Sequence, residues 1–424
     1  MNLSMSQVAR PLTADQSVVI PQEISRLAAL PEVQSALQWF RDQEAEFARW
    51  QMDLARIPAP PFGEKARAEW VGEQFRALGI KRLGRDKIGN AFGFRIGKQD
   101  AVVSISAHLD TVFPANTPLN VRQQGAKLYG PGISDNAAGV TALLAIAAAF
   151  ENFNLPHEAS LLFLGNVGEE GEGDLRGMRY IFSDSEWKDS IQTSLVLDGA
   201  GTDTIVAEAL GSRRFEVTVR GPGGHSWSDF GVPNPIVALG RAIHLFSQTR
   251  VPSSPKTTFN IGVIRGGTSV NSIPESASMR VDIRSSSASE IDRLDLELRR
   301  AIDQSIQEEE TRSSQLRETS HYRSGLTAEM APIGNRPGGE LDPNARALQI
   351  ARAVDAHLGN NAQVQRASTD ANIPISMGRE AIAIGAGGNG GGAHTLQEWF
   401  DPTDRALGLT RILLISLALA GARR

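Results

Sequence analysis

The sequence VVSISAHLD (Val102–Asp110) sets a pattern that recurs along the chain. A short apolar run reads as a buried strand, and a histidine and an acid follow where that strand ends. The same arrangement recurs in SLLFLGNVGEE (Ser160–Glu170) and SLVLD (Ser194–Asp198), while AIAI (Ala381–Ile384) runs into the glycine-rich loop before His394. Ligands gather outside the carboxyl ends of strands in open parallel sheets. The repeated placement therefore predicts an α/β fold with one shared site.

Composition narrows the class of protein. The 424 residues are 41% hydrophobic and 21% charged, and the net charge of −5 gives no basic field that would attract nucleic acid. The chain has no cysteine, so any metal must be held by histidine and carboxylate. The amino terminus lacks the apolar core of a signal peptide, and the most apolar stretch, Ile412–Ala420, is about half the length of a membrane span. We expect a soluble cytoplasmic protein with no nucleic-acid or membrane partner.

The order of predicted elements indicates two domains. Strands and helices first alternate at a spacing typical of α/β proteins, and Ala137–Phe150 is apolar nearly all round, as in a buried helix. From about Gly211 the pattern changes to strand–helix–strand–strand–helix, beginning with the alternating Arg214–Arg220 (RFEVTVR). This order predicts a small inserted α+β domain. The predicted boundaries are 1–40 for an N-terminal extension, 41–211 and 327–424 for a metal-binding catalytic domain, and 212–326 for the inserted domain.

The residue types at the strand ends suit divalent metal ions. A single ion needs only a few of these groups, whereas a two-metal site uses one histidine and one terminal carboxylate per ion, plus a bridging carboxylate. A water between the ions is then a nucleophile near neutral pH, and an unligated carboxylate takes its proton. Glu169 and Glu170 fit this division, because successive side chains diverge in direction. Asp110, on the same strand face as His108, can accept the second N–H of the imidazole.

Seven motifs, in order along the chain, resemble those of the co-catalytic (di-zinc) metallopeptidase family. That family includes peptidase T, carboxypeptidase G, aminoacylase, acetylornithine deacetylase and succinyl-diaminopimelate desuccinylase. The resemblance covers about residue 45 to the end. It implies a zinc-exopeptidase-like α/β catalytic domain with a mixed, mostly parallel sheet flanked by helices, interrupted by a smaller α+β (ferredoxin-like) lid or dimerisation domain. The motifs are SAHLDTV, GPGISDNAAGV, GNVGEEGEGDLRG, VLDGAG, GPGGHS, GGTSVNSIPESASMRVDIRS and GGNGGGAHTLQEW.

The resemblance also implies which residues bind metal. His108 and Asp198 would bind one ion, and Glu170 and His394 the other. Asp135 would bridge the two ions, and the peptide bond after it would be cis. The ions would be zinc, with cobalt or manganese as alternatives that the same ligands accept.

The resemblance assigns catalytic and substrate-binding roles as well. Glu169 would be the general base and Asp110 would support His108. His225 would stabilise the tetrahedral oxyanion. Asn271 and Arg280 would bind the carbonyl or carboxylate of the substrate, Arg280 because its fork pairs with both carboxylate oxygens. Plain structural roles stay open for the last three: a turn residue for His225 and Asn271, and a surface ion-pair partner for Arg280.

The same resemblance suggests substrates and a partner. An aspartate at position 198 and the segment STDANIPIS (Ser368–Ser376) look like the peptidase T branch, so we expect a metal-dependent exopeptidase acting on short peptides. The alternatives are an N-acyl amino acid deacylase or a carboxypeptidase of the same family and, more remotely, a non-catalytic binding protein on this fold. Homodimerisation through the lid would use the Asn234–Thr249 helix and the Arg214–Arg220 strand.

Overall fold

The computed structural model describes residues 14–316 and 325–422. Within those ranges the chain forms two compact units. The first runs to Ala209 and resumes at Glu340, and the second comprises Leu210–Gly339. In the same ranges, no helix combines the length and apolarity that crossing a membrane requires.

The helices and strands of the two units are numbered together, in chain order. The helices are α1 (Ala14–Ala28), α2 (Pro31–Asp42), α3 (Glu44–Ala55), α4 (Lys65–Ala77), α5 (Ala137–Asn152), α6 (Arg176–Ser183), α7 (Pro235–Ser247), α8 (Ala288–Leu316), α9 (Arg346–Leu358), α10 (Asn372–Ser376) and α11 (Arg405–Leu419). The strands are β1 (Arg82–Arg85), β2 (Ala91–Arg95), β3 (Gln99–His108), β4 (Arg122–Gln124), β5 (Lys127–Tyr129), β6 (Ala159–Asn166), β7 (Ile191–Leu197), β8 (Thr204–Ala209), β9 (Gly211–Arg220), β10 (Gly224–His225), β11 (Thr257–Gly266), β12 (Ser272–Ile273), β13 (Ser276–Ser285), β14 (Thr327–Arg336), β15 (Gly339–Glu340), β16 (Gln363–Ala367), β17 (Glu380–Ile384), β18 (Asn389–Gly391) and β19 (Trp399–Asp401).

A nine-stranded mixed sheet organises the first unit, in the order β1-β2-β6-β3-β7-β17-β8-β15, with β16 paired to β8. The parallel pairs of the sheet are β6 with β3, β3 with β7, and β7 with β17. The antiparallel pairs are β1 with β2, β2 with β6, and β8 with β17. All eight residues of β6 are buried, because helices cover both faces of a parallel sheet. The predicted α/β fold with a mixed, mostly parallel sheet is confirmed.

Helix α5 packs against the sheet and is buried from Ala137 to Phe150. Small alanine side chains let it lie close to the strands, while its leucines and isoleucine fill the surrounding core. Its first residue follows the acidic turn at Asp135, so burial of this helix fixes the position of that turn relative to the strand ends.

The first two helices belong to this unit rather than forming a separate extension. Ile24 and Leu27 of α1 and Val33 and Phe40 of α2 are almost completely buried in the main core. Helix α1 packs on α9 and α11. The predicted extension therefore differs from the structure over residues 14–40, where amphipathic helices cover apolar surface. The rest of the predicted extension, residues 1–13, lies outside the described residues.

The second unit is an antiparallel sheet, ordered β11-β13-β9-β14, with α7 and α8 packed on it. Along β9, Phe215, Val217 and Val219 are buried and the residues between them are partly exposed, as the alternating sequence predicts. The chain order strand–helix–strand–strand–helix–strand and this strand order are those of a ferredoxin-like fold.

The boundary predicted at residue 326 is corrected by the last strand of the second unit. Strand β14 (Thr327–Arg336) pairs with β9 along its length. The unit needs this sixth element to complete its sheet, and it therefore runs to Gly339.

Candidate metal centre

Asp135 lies at the centre of the predicted site, with an imidazole facing each of its carboxylate oxygens. Nε2 of His108 lies 3.1 Å from Oδ1 of Asp135, and Nε2 of His394 lies 3.1 Å from Oδ2. Oδ1 of Asp198 lies 3.6 Å from the His108 nitrogen, and Oε1 of Glu170 lies 2.9 Å from the His394 nitrogen. Asp135 therefore joins two groups, each made of one histidine and one further acid.

These side chains come from separate segments that meet at one edge of the central sheet. His108 is the last residue of β3, Glu170 follows β6 after a turn, and Asp198 comes directly after β7. Asp135 precedes α5, and His394 lies between β18 and β19. Because β3, β6 and β7 are parallel, their carboxyl ends lie together. Sequence reasoning placed the site at this edge, and these five residues do meet there.

Asp110 orders the loop that carries the two glutamates. Its Oδ1 accepts the main-chain N–H of Glu169 at 2.9 Å, and its Oδ2 accepts that of Glu170 at 2.7 Å. Nδ1 of His108 lies 3.7 Å from the Asp110 carboxylate but only 3.1 Å from its main-chain oxygen. Asp110 thus contacts His108 mainly through the backbone, while its side chain fixes the glutamate loop.

Asn136 ties the Asp135 turn to the end of β7. Its side chain caps α5, accepts the N–H of Gly199 at 3.2 Å and donates to the carbonyl of Leu197 at 2.9 Å. Those two residues flank Asp198, so Asp135 and Asp198 are held in place by the same amide. The Asp135–Asn136 peptide bond is cis, as the family resemblance implied.

The electrostatics of the cluster favour protonated imidazoles next to ionised acids. Burial alone would lower the pKa of His108, but hydrogen bonds with the surrounding carboxylates raise it well above its ordinary value. Hydrogen bonds with Asp135 and Glu170 raise the pKa of His394 to about 10. Although burial acts against them, the two imidazoles hold the pKa of Asp135 below its usual range. The cluster therefore attracts positive charge.

The donor set fits divalent metal ions. Imidazole nitrogen and carboxylate oxygen are ligands of zinc, cobalt and manganese. Ligating atoms of His108, Asp135 and Glu170 all lie within 4.8 Å of one another. A carboxylate that presents one oxygen to each of two histidines has the form of a bridging ligand, and metal ions can replace the protons that otherwise lie between these groups.

A comparison with protein families identifies the chain. Residues 104–416 match the model of Peptidase family M20/M25/M40, and this range is well over half of the sequence. The chain belongs to this family. The resemblance to the co-catalytic metallopeptidase family is therefore confirmed. The matched range begins within β3 and ends within α11, so it includes every strand end at the candidate centre.

Individual members of the family are only distantly similar in sequence. A succinyl-diaminopimelate desuccinylase of Psychrobacter is 28% identical over 216 residues, covering 47% of this chain and 54% of the relative. A protein of Ajellomyces dermatitidis named "Probable carboxypeptidase" is 29% identical over 236 residues, covering 51% and 53%. The chain thus spans about half the length of these curated relatives.

The M20/M25/M40 fold extends over nearly the whole chain. The crystal structure of aminopeptidase PepT from Bacillus cereus superposes with a TM-score of 0.68 at 18% identity, covering 88% of this chain and 97% of that one. At this level of identity the similarity establishes the fold alone.

The predicted lid residues lie in the second unit, and two of them are neighbours. Strand β10, which ends at His225, pairs with β12, and His225 stands opposite Ser272, the residue after Asn271. The main-chain oxygen of Asn271 accepts the N–H of Ser226 at 3.0 Å. Arg280 lies on β13, in the four-stranded sheet, where its guanidinium is 3.4 Å from the Glu216 carboxylate. The structure therefore groups His225 with Asn271 and gives Arg280 an ion-pair partner.

Sequence reasoning missed the carboxylate of Glu398, although it lies in the quoted GGNGGGAHTLQEW motif. The side chain is completely buried and accepts hydrogen bonds from the loop that precedes Asp135. Glu398 is followed by the aromatic residues Trp399 and Phe400 at the start of a strand, and this pattern indicates a buried acid. Because a buried acid needs hydrogen-bond partners, the pattern could have identified Glu398.

A second buried acid lies close to the strand ends. Oδ2 of Asp370 accepts a 2.6 Å hydrogen bond from the side-chain amide of Asn166, the residue paired with His108 across β3 and β6. Oδ1 of Asp370 and Oδ1 of Asn166 have no hydrogen-bond partner among the described residues. Burial raises the pKa of Asp370 to about 7. Asp370 belongs to the STDANIPIS segment quoted above and is its one charged residue. This charge was the signal in the sequence that could have drawn attention to Asp370.

Proposed function

We propose that the chain is a metal-dependent hydrolase of short peptides, a peptidase T-like exopeptidase that uses two divalent ions. The observation that carries the proposal is the pairing of each Asp135 oxygen with a different histidine, at 3.1 Å in both cases. Membership of the M20/M25/M40 family supports amide hydrolysis.

In this proposal the two groups around Asp135 are two metal sites. His108 and Asp198 hold one ion, Glu170 and His394 hold the other, and Asp135 contacts both. When bound, the ions activate a water as nucleophile and polarise the amide carbonyl. Zinc is the proposed native ion, and cobalt or manganese can substitute because the ligands are nitrogen and oxygen only.

Glu169 is the proposed general base. It takes the proton of the attacking water and passes it to the leaving amine. The side chain is buried, so bulk water has little access to its carboxylate. Its main-chain N–H is fixed by Asp110, as is that of the adjacent ligand Glu170. The same carboxylate thus sets the relative placement of base and ligand.

His225 is proposed to donate a hydrogen bond to the tetrahedral oxyanion. Its Nδ1 accepts the main-chain N–H of Trp227 at 3.2 Å. The neutral ring therefore carries its proton on Nε2, and this N–H is the donor that an oxyanion requires. Asn271 and Arg280 are the proposed contacts of the substrate carbonyl and carboxylate, and Arg280 would exchange its ion pair with Glu216 for that carboxylate.

Asp198 favours the peptidase over other activities in the family, because its position carries aspartate in the peptidase branch that the sequence resembles. The second candidate is an N-acyl amino acid deacylase or carboxypeptidase. The desuccinylase and the protein named as a carboxypeptidase, both 28–29% identical to this chain, favour that alternative.

We also propose a homodimer formed through the second unit. The sequence suggested strand Arg214–Arg220 as a pairing edge, but β9 lies between β13 and β14 and has no free edge. Strand β11 is an edge of this sheet, where Ile264 is exposed, and Ile236 and Val237 are exposed at the start of α7. Light scattering of the native chain and of Ile264→Lys tests this: a dimer that the substitution converts to monomer is expected, and a monomeric native chain contradicts it.

Turnover of three matched substrates by the zinc-loaded protein tests the substrate class. The substrates are a free tripeptide, the same tripeptide N-acetylated, and an N-acetyl amino acid. Cleavage of the free tripeptide, abolished by chelator, is the expected result. Preference for either blocked substrate would move the function to the deacylase or carboxypeptidase side, and no turnover of any of them would contradict peptide hydrolysis.

A further inference from the structure

We infer that Glu398 is a positioning residue for the metal centre, because it holds the loop that ends at Asp135. The inference rests on the proposed function, since it concerns the placement of the proposed bridging ligand. Glu398 itself does not face the two histidines. It acts on the centre through the backbone of residues 130–135.

Three main-chain N–H groups of that loop point at the Glu398 carboxylate. Oε2 accepts the N–H of Gly132 at 2.8 Å, and Oε1 accepts those of Ser134 and Asp135, both at 2.7 Å. The main-chain oxygen of Glu398 accepts the N–H of Gly130 at 3.0 Å. A carboxylate in the interior needs hydrogen-bond partners, and these main-chain N–H groups provide them. Glu398 therefore fixes the loop on both sides of Gly132.

The geometry of the loop depends on this anchor. Gly132 has a φ of 73°, which glycine adopts readily, and a Cβ there would lie 2.7 Å from a side-chain carbon of Thr111. The loop is thus pressed against the segment that follows His108, with the Glu398 carboxylate on its N–H side. Asp135 cannot move relative to the segment that carries Glu398 without breaking these hydrogen bonds.

Glu398 also couples the loop to the second histidine. It lies four residues after His394 and directly before β19, and β19 pairs with β5 just before the loop, with Trp399 opposite Tyr129. One segment thereby carries the His394 ligand and the anchor of the Asp135 loop. A shift of this segment would move both groups together, which preserves the 3.1 Å contact between His394 and Asp135.

A buried cation completes the support. Arg67 on α4 is completely enclosed and is attracted by both Asp110 and Glu398. Its guanidinium donates to the carbonyl of Leu109 at 3.0 Å, between His108 and Asp110. Arg67 and Glu398 thus hold neighbouring segments of the site, Arg67 through the carbonyl of Leu109 and Glu398 through the N–H groups of the Asp135 loop.

The substitution Glu398→Gln tests the inference, because it keeps the side-chain length and replaces one acceptor by an amide donor. In either orientation of the amide, at least one of the three N–H groups loses its acceptor. We expect zinc and cobalt to bind about 10-fold more weakly or worse, as for the loss of groups that orient ligands. The measurement is calorimetric titration of the metal-free protein, together with the visible spectrum of bound cobalt.

Glu380→Gln is the matched control. Oε1 and Oε2 of Glu380 accept the N–H groups of Arg346 and Ala347, both at 3.0 Å, at the start of α9 and the opposite end of β17 from the centre. This glutamate has a structural role of the same kind, so its substitution can lower thermal stability but should leave metal affinity and the cobalt spectrum unchanged. Equal metal affinity in the wild type and Glu398→Gln would overturn the inference, as would equal losses in both variants.

Hydrogen exchange of the wild-type chain provides a test that needs no variant. The amides of Gly130, Gly132, Ser134 and Asp135 should exchange slowly in the metal-free protein, because their acceptor is Glu398 rather than a metal ligand. Fast exchange of these amides without metal would overturn the inference. Failure of the proposed function is recognised separately, because a wild-type protein that binds no divalent ion contradicts the metal centre before any variant is compared.

Discussion

Nε2 of His394 lies 3.1 Å from Oδ2 of Asp135, although 259 residues separate the two in the sequence. The His394 side chain is 55% exposed, whereas the Asp135 side chain is 17% exposed and that of His108, on the other oxygen, only 2%. The centre is therefore asymmetric. The asymmetry lies in the histidines, because His394 opens to solvent and His108 is enclosed, whereas Asp198 is 22% exposed and Glu170 10%.

This asymmetry predicts stepwise removal of metal. Limiting chelator should first remove the ion held by His394 and Glu170, because water and chelator reach that side directly. The ion held by His108 and Asp198 should follow more slowly. A time course of cobalt absorbance or of metal content checks this, and loss of both ions at a single rate would contradict the assignment of sides.

Substitution of the exposed histidine should separate the two ions. His394→Ala removes one nitrogen ligand from the open side, so the protein should keep about one ion after dialysis where the wild type keeps two. His244→Ala is the control, because His244 is an exposed histidine on α7 in the second unit. Metal analysis of the dialysed proteins provides the measurement. A full metal complement in His394→Ala would refute the ligand assignment.

Glu169→Gln should abolish turnover without emptying the centre. The amide keeps the shape of the side chain but cannot accept the proton of the attacking water, and loss of a general base costs about 10²- to 10⁴-fold in kcat. Metal content should stay at the wild-type level. Glu172→Gln, an exposed glutamate of the same loop, should retain wild-type kcat. Near-normal kcat in Glu169→Gln would show that another group is the base.

Because the pKa of the Asp370 carboxyl is raised, we predict that the stability of the metal-free protein depends on pH. Burial raises the pKa of its carboxyl to about 7 in the folded chain, above the usual value of 3.8 that applies to the unfolded chain. The unfolded chain thus loses this proton first, and the contribution of Asp370 becomes destabilising as pH rises from about 4 to about 7. Below that window the acid is protonated in both states and the penalty is absent.

Asp370→Asn should remove that penalty. An asparagine has an N–H to donate to an acceptor such as Oδ1 of Asn166, which has no partner among the described residues. The urea midpoint of the variant should exceed that of the wild type at about pH 8, and the advantage should shrink at about pH 4.5. Asp303→Asn, on an exposed position of α8, should show no such trend. An advantage that does not change with pH would contradict the protonation argument.

The sequence was sufficient for the parts of the fold and site that follow from local patterns. Apolar runs marked the central strands, and the acids and histidines at their ends marked one edge of the sheet. The alternation along β9 indicated a sheet with one covered face, and the apolar run Ala137–Phe150 indicated the buried helix α5. These predictions succeeded because periodicity and strand-end position are properties of short segments.

Other features depend on contacts between distant segments. The sequence around Glu398 does not indicate that its carboxylate accepts hydrogen bonds from Gly132, Ser134 and Asp135, which lie more than 260 positions away. The role of α1 in the main core follows from its packing on α9 and α11, and the role of β14 from its pairing with β9. Short-range patterns show that such segments are helical or extended, but not which unit they complete.

The most direct test of the central claim is hydrolysis of a free tripeptide by chelated protein as zinc is added back in measured equivalents. The account predicts no turnover without metal and full recovery when about two ions per chain are bound. Turnover that persists in excess chelator would contradict it, as would zinc binding that restores no hydrolysis.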